Sequence, residues 1–206
     1  MLASLQSVVV LQAPARGDLA GRLSTALEAA GAGADPRGGE VMEFRFCPKC
    51  GAKLEKKALH GKERPACAAE GCGFVHWGNP TPVVAAIVEH EGNVLLARGR
   101  GWPEKMFGLI TGFLEAGEAP EAGVLREVKE ELSLDGDIVS LVGVYPFEMR
   151  NELIVAYHVK ATGTVALSEE LEAVKPVPPE KLRAWPFGTG LAVQAWLEAR
   201  ARSSRG

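Results

Sequence analysis

Residues 112 to 134 read GFLEAGEAPEAGVLREVKEELSL and place Glu127, Glu130 and Glu131 at positions i, i+3 and i+4. On a helix turning about 100° per residue, Glu130 and Glu131 fall roughly 60° and 40° to either side of Glu127. Three carboxylates on one face repel one another. Such a face becomes tolerable when a cation sits in front of it, and hard divalent ions such as Mg²⁺ or Mn²⁺ prefer oxygen ligands of this kind. The segment is therefore expected to be a helix that holds metal. The plain alternative is a solvated acidic helix with Arg126 and Glu130 as an i, i+4 ion pair.

The flanking residues carry a resemblance. Gly112, Glu118, Arg126-Glu127, Val128, Glu130-Glu131 and Leu134, at their mutual spacings, resemble the signature of the Nudix hydrolases. Fixed positions of this number coincide by chance on the order of once in ten million starting points. Ser133 stands where that family usually has Gly, at the helix C-terminus where Gly eases a left-handed cap. The resemblance implies an α/β (α+β) fold, a mixed sheet with helices on either side. It also implies Mg²⁺ or Mn²⁺ bridging a diphosphate and activating water. Glu127 and Glu131 are then the expected metal ligands, with Glu130 completing the cluster or acting as base. Arg126 is expected to point away from the metal face and orient the cluster by pairing with a carboxylate. Glu118 is expected to bind metal through water or to hold the loop, Gly112 to leave room for close backbone approach, and the carbonyl of Thr111 to be a further ligand.

All four cysteines lie within 26 residues, as Cys47-Pro-Lys-Cys50-Gly51 and Cys67-Ala-Ala-Glu-Gly-Cys72-Gly73. Two short-spaced pairs, each followed by glycine, fit two knuckles closing a tetrahedral Zn²⁺ site. A closed four-thiolate site is structural, and its expected use is to fold a ribbon with too little apolar core to stand alone. Two disulfides are the alternative. They are disfavoured in a reducing compartment, and the run Ser7 to Leu11 is too short and lacks the basic leader of a signal peptide.

At 206 residues and 47% hydrophobic, the chain has enough material for one sizeable domain and a small one. A net charge of −3 argues against broad nucleic-acid coating. No run of about 18 apolar residues exists to span a bilayer, so no membrane partner and a cytoplasmic setting are expected. Residues 1 to 41 are rich in Ala and Gly, with one amphipathic stretch near Gly17 to Ala30 and a linker-like GAGADPRGG. They read as a poorly structured or dispensable appendage, with translation from Met42 as a second possibility. The expected organisation is thus 1–41 appendage, 42–78 zinc ribbon and 79–206 Nudix domain.

Within the last segment, Thr81 to Val88 and Val94 to Arg98 read as a hairpin joined through His90-Glu-Gly-Asn93. A short strand near Leu109, strands at Asp137 to Tyr145 and Leu153 to Lys160, and a helix over Gly190 to Arg202 complete the pattern. Arg98 and Arg100 are candidates for substrate phosphates, against an ordinary solvated loop. Glu169, Glu170 and Glu172 are available as one more metal or base carboxylate, which the family resemblance implies. Trp102, Phe107, Tyr145 and Phe147 are read as core more readily than as a nucleobase stack. His76, Trp77 and Asn79 read as an interdomain strip, with His76 a surplus zinc ligand in the alternative.

A four-cysteine ribbon ahead of a Nudix segment resembles the NADH pyrophosphatase branch. That branch has a long domain before its ribbon and a Ser-Gln-Pro-Trp-Pro-Phe motif after the acidic helix. Here Val144-Tyr145-Pro146-Phe147 is only a partial echo, and Trp185-Pro186-Phe187 comes too late in the chain to be the same element. The expected activity is hydrolysis of a nucleoside diphosphate linked to another moiety, such as NAD(H) or ADP-ribose. The expected partner is a small-molecule nucleotide, with a capped RNA end and a homodimer as further possibilities. A catalytically silent ligand-sensing or nucleic-acid-binding module is the alternative, and loses ground because the acidic cluster is intact. An isomerase on the same fold would add a catalytic cysteine, and every cysteine here belongs to the ribbon.

Overall fold

The structure, a computed structural model, describes residues 44–203, so the expected appendage, its helix and the Met42 start lie outside the described residues. Two compact units separate between Pro80 and Thr81.

The first unit is built on an antiparallel pair, β1 (Leu54–Leu59) and β2 (Lys62–Cys67), joined through His60 and Gly61. Both turn residues have positive φ, 51° and 75°, which suits a two-residue hairpin turn. Val75 bridges Ala66, and the His76 N–H donates to the Pro65 carbonyl at 2.8 Å, so the chain returns as a third extended segment beside β2. The buried centre consists of Cys47, Leu54 and Cys67, with Ala52, Ala69, Cys72 and Phe74 against it. That is far too little apolar surface to hold some 35 residues without a cross-link.

The second unit runs β3 (Thr81–His90), β4 (Asn93–Gly99), β5 (Ile110–Phe113), α1 (Pro120–Leu132), β6 (Asp135–Phe147), β7 (Glu152–Thr162), β8 (Leu171–Val177) and α2 (Thr189–Ser203). The sheet order is β6-β7-β3-β4-β8, with β5 also paired to β3. Only β3 and β7 are parallel; the other pairs are antiparallel. One edge of β3 is shared: β5 takes Val83 to Ala86, and the hairpin partner β4 takes Val88 to His90. This split holds Gly112 and Thr111 in the middle of the sheet.

Strand β3 shows why helices cover both faces. Val83, Ala85 and Ile87 join one buried cluster with Ala192, Val193 and Trp196 of α2, while Val84, Ala86 and Val88 join another with Val124, Val128 and Leu132 of α1. Alternate residues of a strand face opposite sides, so an unbroken apolar run demands cover on each. In α1 the apolar residues recur at i, i+4 and i+8, which turns one stripe to the sheet and leaves the acidic edge outside it.

The hairpin turn is Glu91-Gly92, with φ of 48° and 76°, one residue tighter on each side than the sequence suggested. Strand β8 carries no strand signal in the sequence. It is a half-buried edge strand carrying Glu172, Lys175 and Pro176, a composition that mimics a loop but is tolerated at an edge. Ser133 takes φ 60° and its N–H donates to Lys129 O, so serine adopts the left-handed cap that glycine adopts at lower cost.

His158 of β7 lies under α2, 2.9 Å from Glu89 Oε2 and edge-on to Trp196, with Lys160 and Arg200 also acting on it. Burial lowers its pKa, against the opposing pull of Glu89. The unfolded chain then takes up the proton first, near pH 6.5, so stability is full above that value and is lost as pH falls through the folded pKa. Melting temperature is expected to fall between pH 7.5 and 5.5, and His158→Gln to flatten that slope; an unchanged slope would show that other groups set it.

Candidate active site

Helix α1 begins with Pro120 at its first turn, where the missing N–H costs nothing, and projects Glu127, Glu130 and Glu131 from the edge beside β5. Arg126 does not turn away from these acids. Its Nε donates to Glu118 Oε1 at 2.8 Å, Nη2 to Glu118 Oε2 at 3.0 Å and to the Phe113 carbonyl at 3.0 Å, and Nη1 to Glu127 Oε1 at 2.8 Å and Glu130 Oε2 at 3.0 Å. These contacts use all five guanidinium donors. The side chain is thus a bracket that ties the loop, the strand end and two helix acids together, rather than a strut behind them.

Glu118 accepts both prongs of Arg126 and also the Glu115 N–H at 3.0 Å. The guanidinium and that N–H hold its carboxyl down to about 2. With both oxygens engaged, Glu118 stands as the residue that fixes the loop before α1. Thr111 is buried in β5 opposite Ala85.

Gly112 has a specific steric reason. A Cβ there would lie 1.7 Å from Cδ and Oε1 of Glu127, so the Glu127 carboxylate occupies the space that any other residue would fill.

Glu131 and Glu127 are the strained members. Desolvation, followed by the charges of Glu127, Glu170 and Glu130, pushes Glu131 up to about 8. Desolvation also raises Glu127, against Arg126. Glu170 is the acid from the loop before β8 whose charge reaches both. Glu172 instead pairs with Arg98, 3.4 Å from Nε, and the Glu169 carbonyl accepts from Arg100 Nε. The loop is pinned to the helix end by the Ser168 N–H on Glu131 O at 3.1 Å and the Ala166 N–H on Leu132 O at 3.0 Å. Long-range backbone bonds of this kind leave no local sequence signal. Tyr157, also missed, donates to Glu121 Oε1 at 3.0 Å and anchors the first turn of α1.

Half-buried carboxylates with mutual repulsion and one shared guanidinium carry a surplus of negative charge, and a divalent cation with oxygen preference fits that donor set. Among the described residues, only the four cysteines have ligand atoms already gathered within 4.8 Å of one another.

Those thiols sit as a tetrahedron would require. Cys47 and Cys72 sulfurs are 3.7 Å apart, and Cys50 and Cys67 sulfurs 3.4 Å. Tetrahedral Zn²⁺ with Zn–S of about 2.3 Å spaces sulfurs by about 3.8 Å. All four cysteines are free, which excludes the disulfide alternative in this structure. Gly51 and Gly73, with φ of 76° and 68°, make the knuckle turns, and the Ala69 N–H points at Cys67 Sγ from 3.4 Å. His76 is no ligand; it packs on Phe44, ring centroids 4.6 Å apart.

Arg98 is tied to the Glu104 carbonyl at 2.9 Å, to Glu172 and over the Phe107 ring, while the Arg100 N–H donates to Glu170 O at 2.8 Å. Both arginines organise the loops beside the acids. Of the aromatic candidates, Phe147 is core and stacks on Phe187, ring centroids 6.4 Å apart. Phe107 and Tyr145 pack on the same cluster, and the Trp102 ring covers Gly99. Among the described residues, no helix is long and apolar enough to cross a membrane.

Comparison with known proteins gives the chain a family. The chain is 27% identical over 154 residues to an NAD-capped RNA hydrolase NudC of Stutzerimonas stutzeri, covering 74% of this chain and 54% of that protein. It is 30% identical over 117 residues to the Vibrio atlanticus protein of the same name, covering 57% and 42%. The chain thus spans about half the length, or less, of these relatives. A Nudix hydrolase from Nitrosomonas europaea superposes with a TM-score of 0.63 at 23% identity, over 77% of this chain and 93% of that one, a likeness of fold. Residues 79–193 match the NUDIX domain family model, and the chain belongs to the Nudix family.

Proposed function

We propose that this chain hydrolyses a nucleoside diphosphate linked to another moiety, with NAD(H) or ADP-ribose as the first substrates to try. The observation that carries the reading is that Glu127 and Glu131 on the helix edge and Glu170 on the facing loop bear on one another's charge, with Glu127 held by Arg126. Similarity to proteins named NAD-capped RNA hydrolases supports the substrate class.

A bound Mg²⁺ or Mn²⁺ supplies charge neutralisation on the diphosphate oxygens and a lowered pKa for water. Glu127, Glu131 and Glu170 would hold it, with Thr111 contributing its carbonyl. Glu130, the most exposed of the three helix acids at 59% for its side chain, is the one placed to accept a proton from water. Arg126 positions Glu127, and Glu118 keeps the preceding loop in register. Phosphoryl transfer depends mainly on positioning and charge, so no nucleophilic side chain is required. Arg98 and Arg100 act on substrate through the loops they hold. Zn²⁺ on the cysteines is structural. A four-thiolate zinc site favours a reducing, cytoplasmic setting, and an RNA 5′ end remains a larger form of the same substrate.

Gly112→Ala follows from the steric argument. The fold is expected to survive, because the flexible Glu127 side chain yields first, but kcat should drop roughly a hundredfold through carboxylate misplacement. Wild-type kcat would show that Glu127 is not held there for catalysis.

A panel of dinucleotides, nucleotide sugars and nucleoside triphosphates with Mg²⁺ or Mn²⁺ tests the function itself. Release of AMP from NADH or ADP-ribose is expected. Pyrophosphate from triphosphates alone would change the substrate class, and silence across the panel would leave a binding module.

A further inference from the structure

Charge is divided unevenly along the chain. Residues 44–80 contain seven Lys and Arg against three Glu, a formal +4, whereas the whole chain is −3. A zinc tetrathiolate adds −2, and the unit still stays basic.

The strand register concentrates part of that charge. Lys57 lies directly opposite Arg64, and Leu59 opposite Lys62. Residues two apart share a face, so Lys57, Arg64 and Lys62 emerge on one side, with Glu55 as the one acid on the same side of the two strands, away from the turn. Like charges directly opposed destabilise a strand pair, so folding gains nothing from Lys57 and Arg64 together. Neither is offset by an acid: Lys57 Nζ donates to the Cys67 carbonyl at 3.2 Å and Arg64 Nη1 to the Trp77 carbonyl, and among the described residues no ion pair involves Lys57, Lys62 or Arg64.

The third extended segment completes the row. Val75 bridges Ala66, which sets Trp77 beside Arg64, and the guanidinium carbon sits 5.0 Å from the indole centroid. Trp77 is 46% exposed, with the His60 ring 6.0 Å away. Across three strands the face therefore reads lysine, arginine, tryptophan. A solvent-facing indole fixed by an arginine and flanked by uncompensated cations has the chemistry of a single-strand nucleic-acid platform, in which bases stack and phosphates meet ammonium groups.

We propose that this face of the ribbon binds single-stranded RNA, with Trp77 stacking an unpaired base and Lys57, Lys62 and Arg64 meeting phosphates. The inference deepens the reading above and rests on it only for why an RNA chain would follow the cleaved nucleotide end.

The test uses the full chain with zinc bound and a fluorescently labelled, unstructured ten-nucleotide RNA, followed by anisotropy at several salt concentrations without added Mg²⁺. Three phosphate contacts predict a log–log salt slope of about −2. Lys57→Gln with Lys62→Gln should reduce that slope by about 1.4, and Trp77→Ala should weaken binding roughly tenfold or more, with zinc content and melting temperature retained. A merely structural role for Lys57, through its bond to the Cys67 carbonyl, would leave RNA binding unchanged and lower the melting temperature when that bond is lost. Absence of binding at 50 mM salt, variants that bind like wild type, or equal binding to polyglutamate would overturn the proposal. NADH hydrolysis measured on the same sample separates the two readings: turnover without RNA binding overturns this inference alone, and RNA binding without turnover overturns the proposed activity alone.

Discussion

Glu131→Gln is expected to lower kcat by roughly a hundredfold or more, about 3 kcal/mol of barrier, while the chain stays folded. The substitution keeps shape and helix propensity but removes the most desolvated charge of the cluster, one already repelled by Glu127, Glu170 and Glu130. Backbone contacts at this position persist, since the Ser168 N–H bonds the Glu131 carbonyl and not its side chain. The same reasoning gives an opposite sign for stability. In metal-free buffer the variant should melt higher than wild type, because a carboxylate that is costly to bury next to like charges has become neutral. Adding Mg²⁺ should reverse the order, since a cation bound only by the folded state stabilises in proportion to its affinity. Differential scanning fluorimetry with and without Mg²⁺ reads both signs; a variant that melts lower in both conditions would show a structural acid instead.

Cys47→Ser should lose zinc and melting temperature together. A serine hydroxyl is not ionised at neutral pH and is a poor substitute for a thiolate, and structural zinc in small domains supplies on the order of 10 kcal/mol of folding energy. With Cys47, Leu54 and Cys67 as its buried centre, the ribbon has little else to hold it. Amide exchange should therefore lose protection over β1 and β2 first, while β3 to α2 retain theirs and turnover persists in the cold. Stoichiometric zinc in the variant would show that the cluster is not the ligand set.

What could be read from sequence was what depends on local period and spacing. The acids at i, i+3 and i+4 and the two cysteine knuckles declare themselves because each motif closes within a few turns of chain. The double-sided burial of β3 was legible as an unbroken apolar run. What escaped required the partner to be known. Strand β8 looks like a charged loop until β4 pairs with it, the charge of Glu170 reaches Glu127 and Glu131 from a loop that backbone bonds of residues 166 and 168 tie to the end of α1, and Lys57, Arg64 and Trp77 become a row only through a three-strand register. The family resemblance implies an Arg126 that points away from the metal face while pairing with a carboxylate, and only the pairing matches the structure. The five-donor side chain is long enough to curl back, reaching Glu118, Glu127, Glu130 and the Phe113 carbonyl at once.

An acidic edge of α1 that works as a divalent-metal centre cleaving a diphosphate must depend on the metal and on Glu127 together. The most direct measurement is mononucleotide release from the best substrate by wild type and Glu127→Gln, stripped of loosely bound divalent ions and titrated with Mg²⁺. Expected are no turnover before Mg²⁺, saturating turnover of wild type after it, and at least about a hundredfold less from Glu127→Gln at every Mg²⁺ concentration. Turnover in wild type that needs no divalent ion, or Glu127→Gln matching wild type, would contradict that dependence.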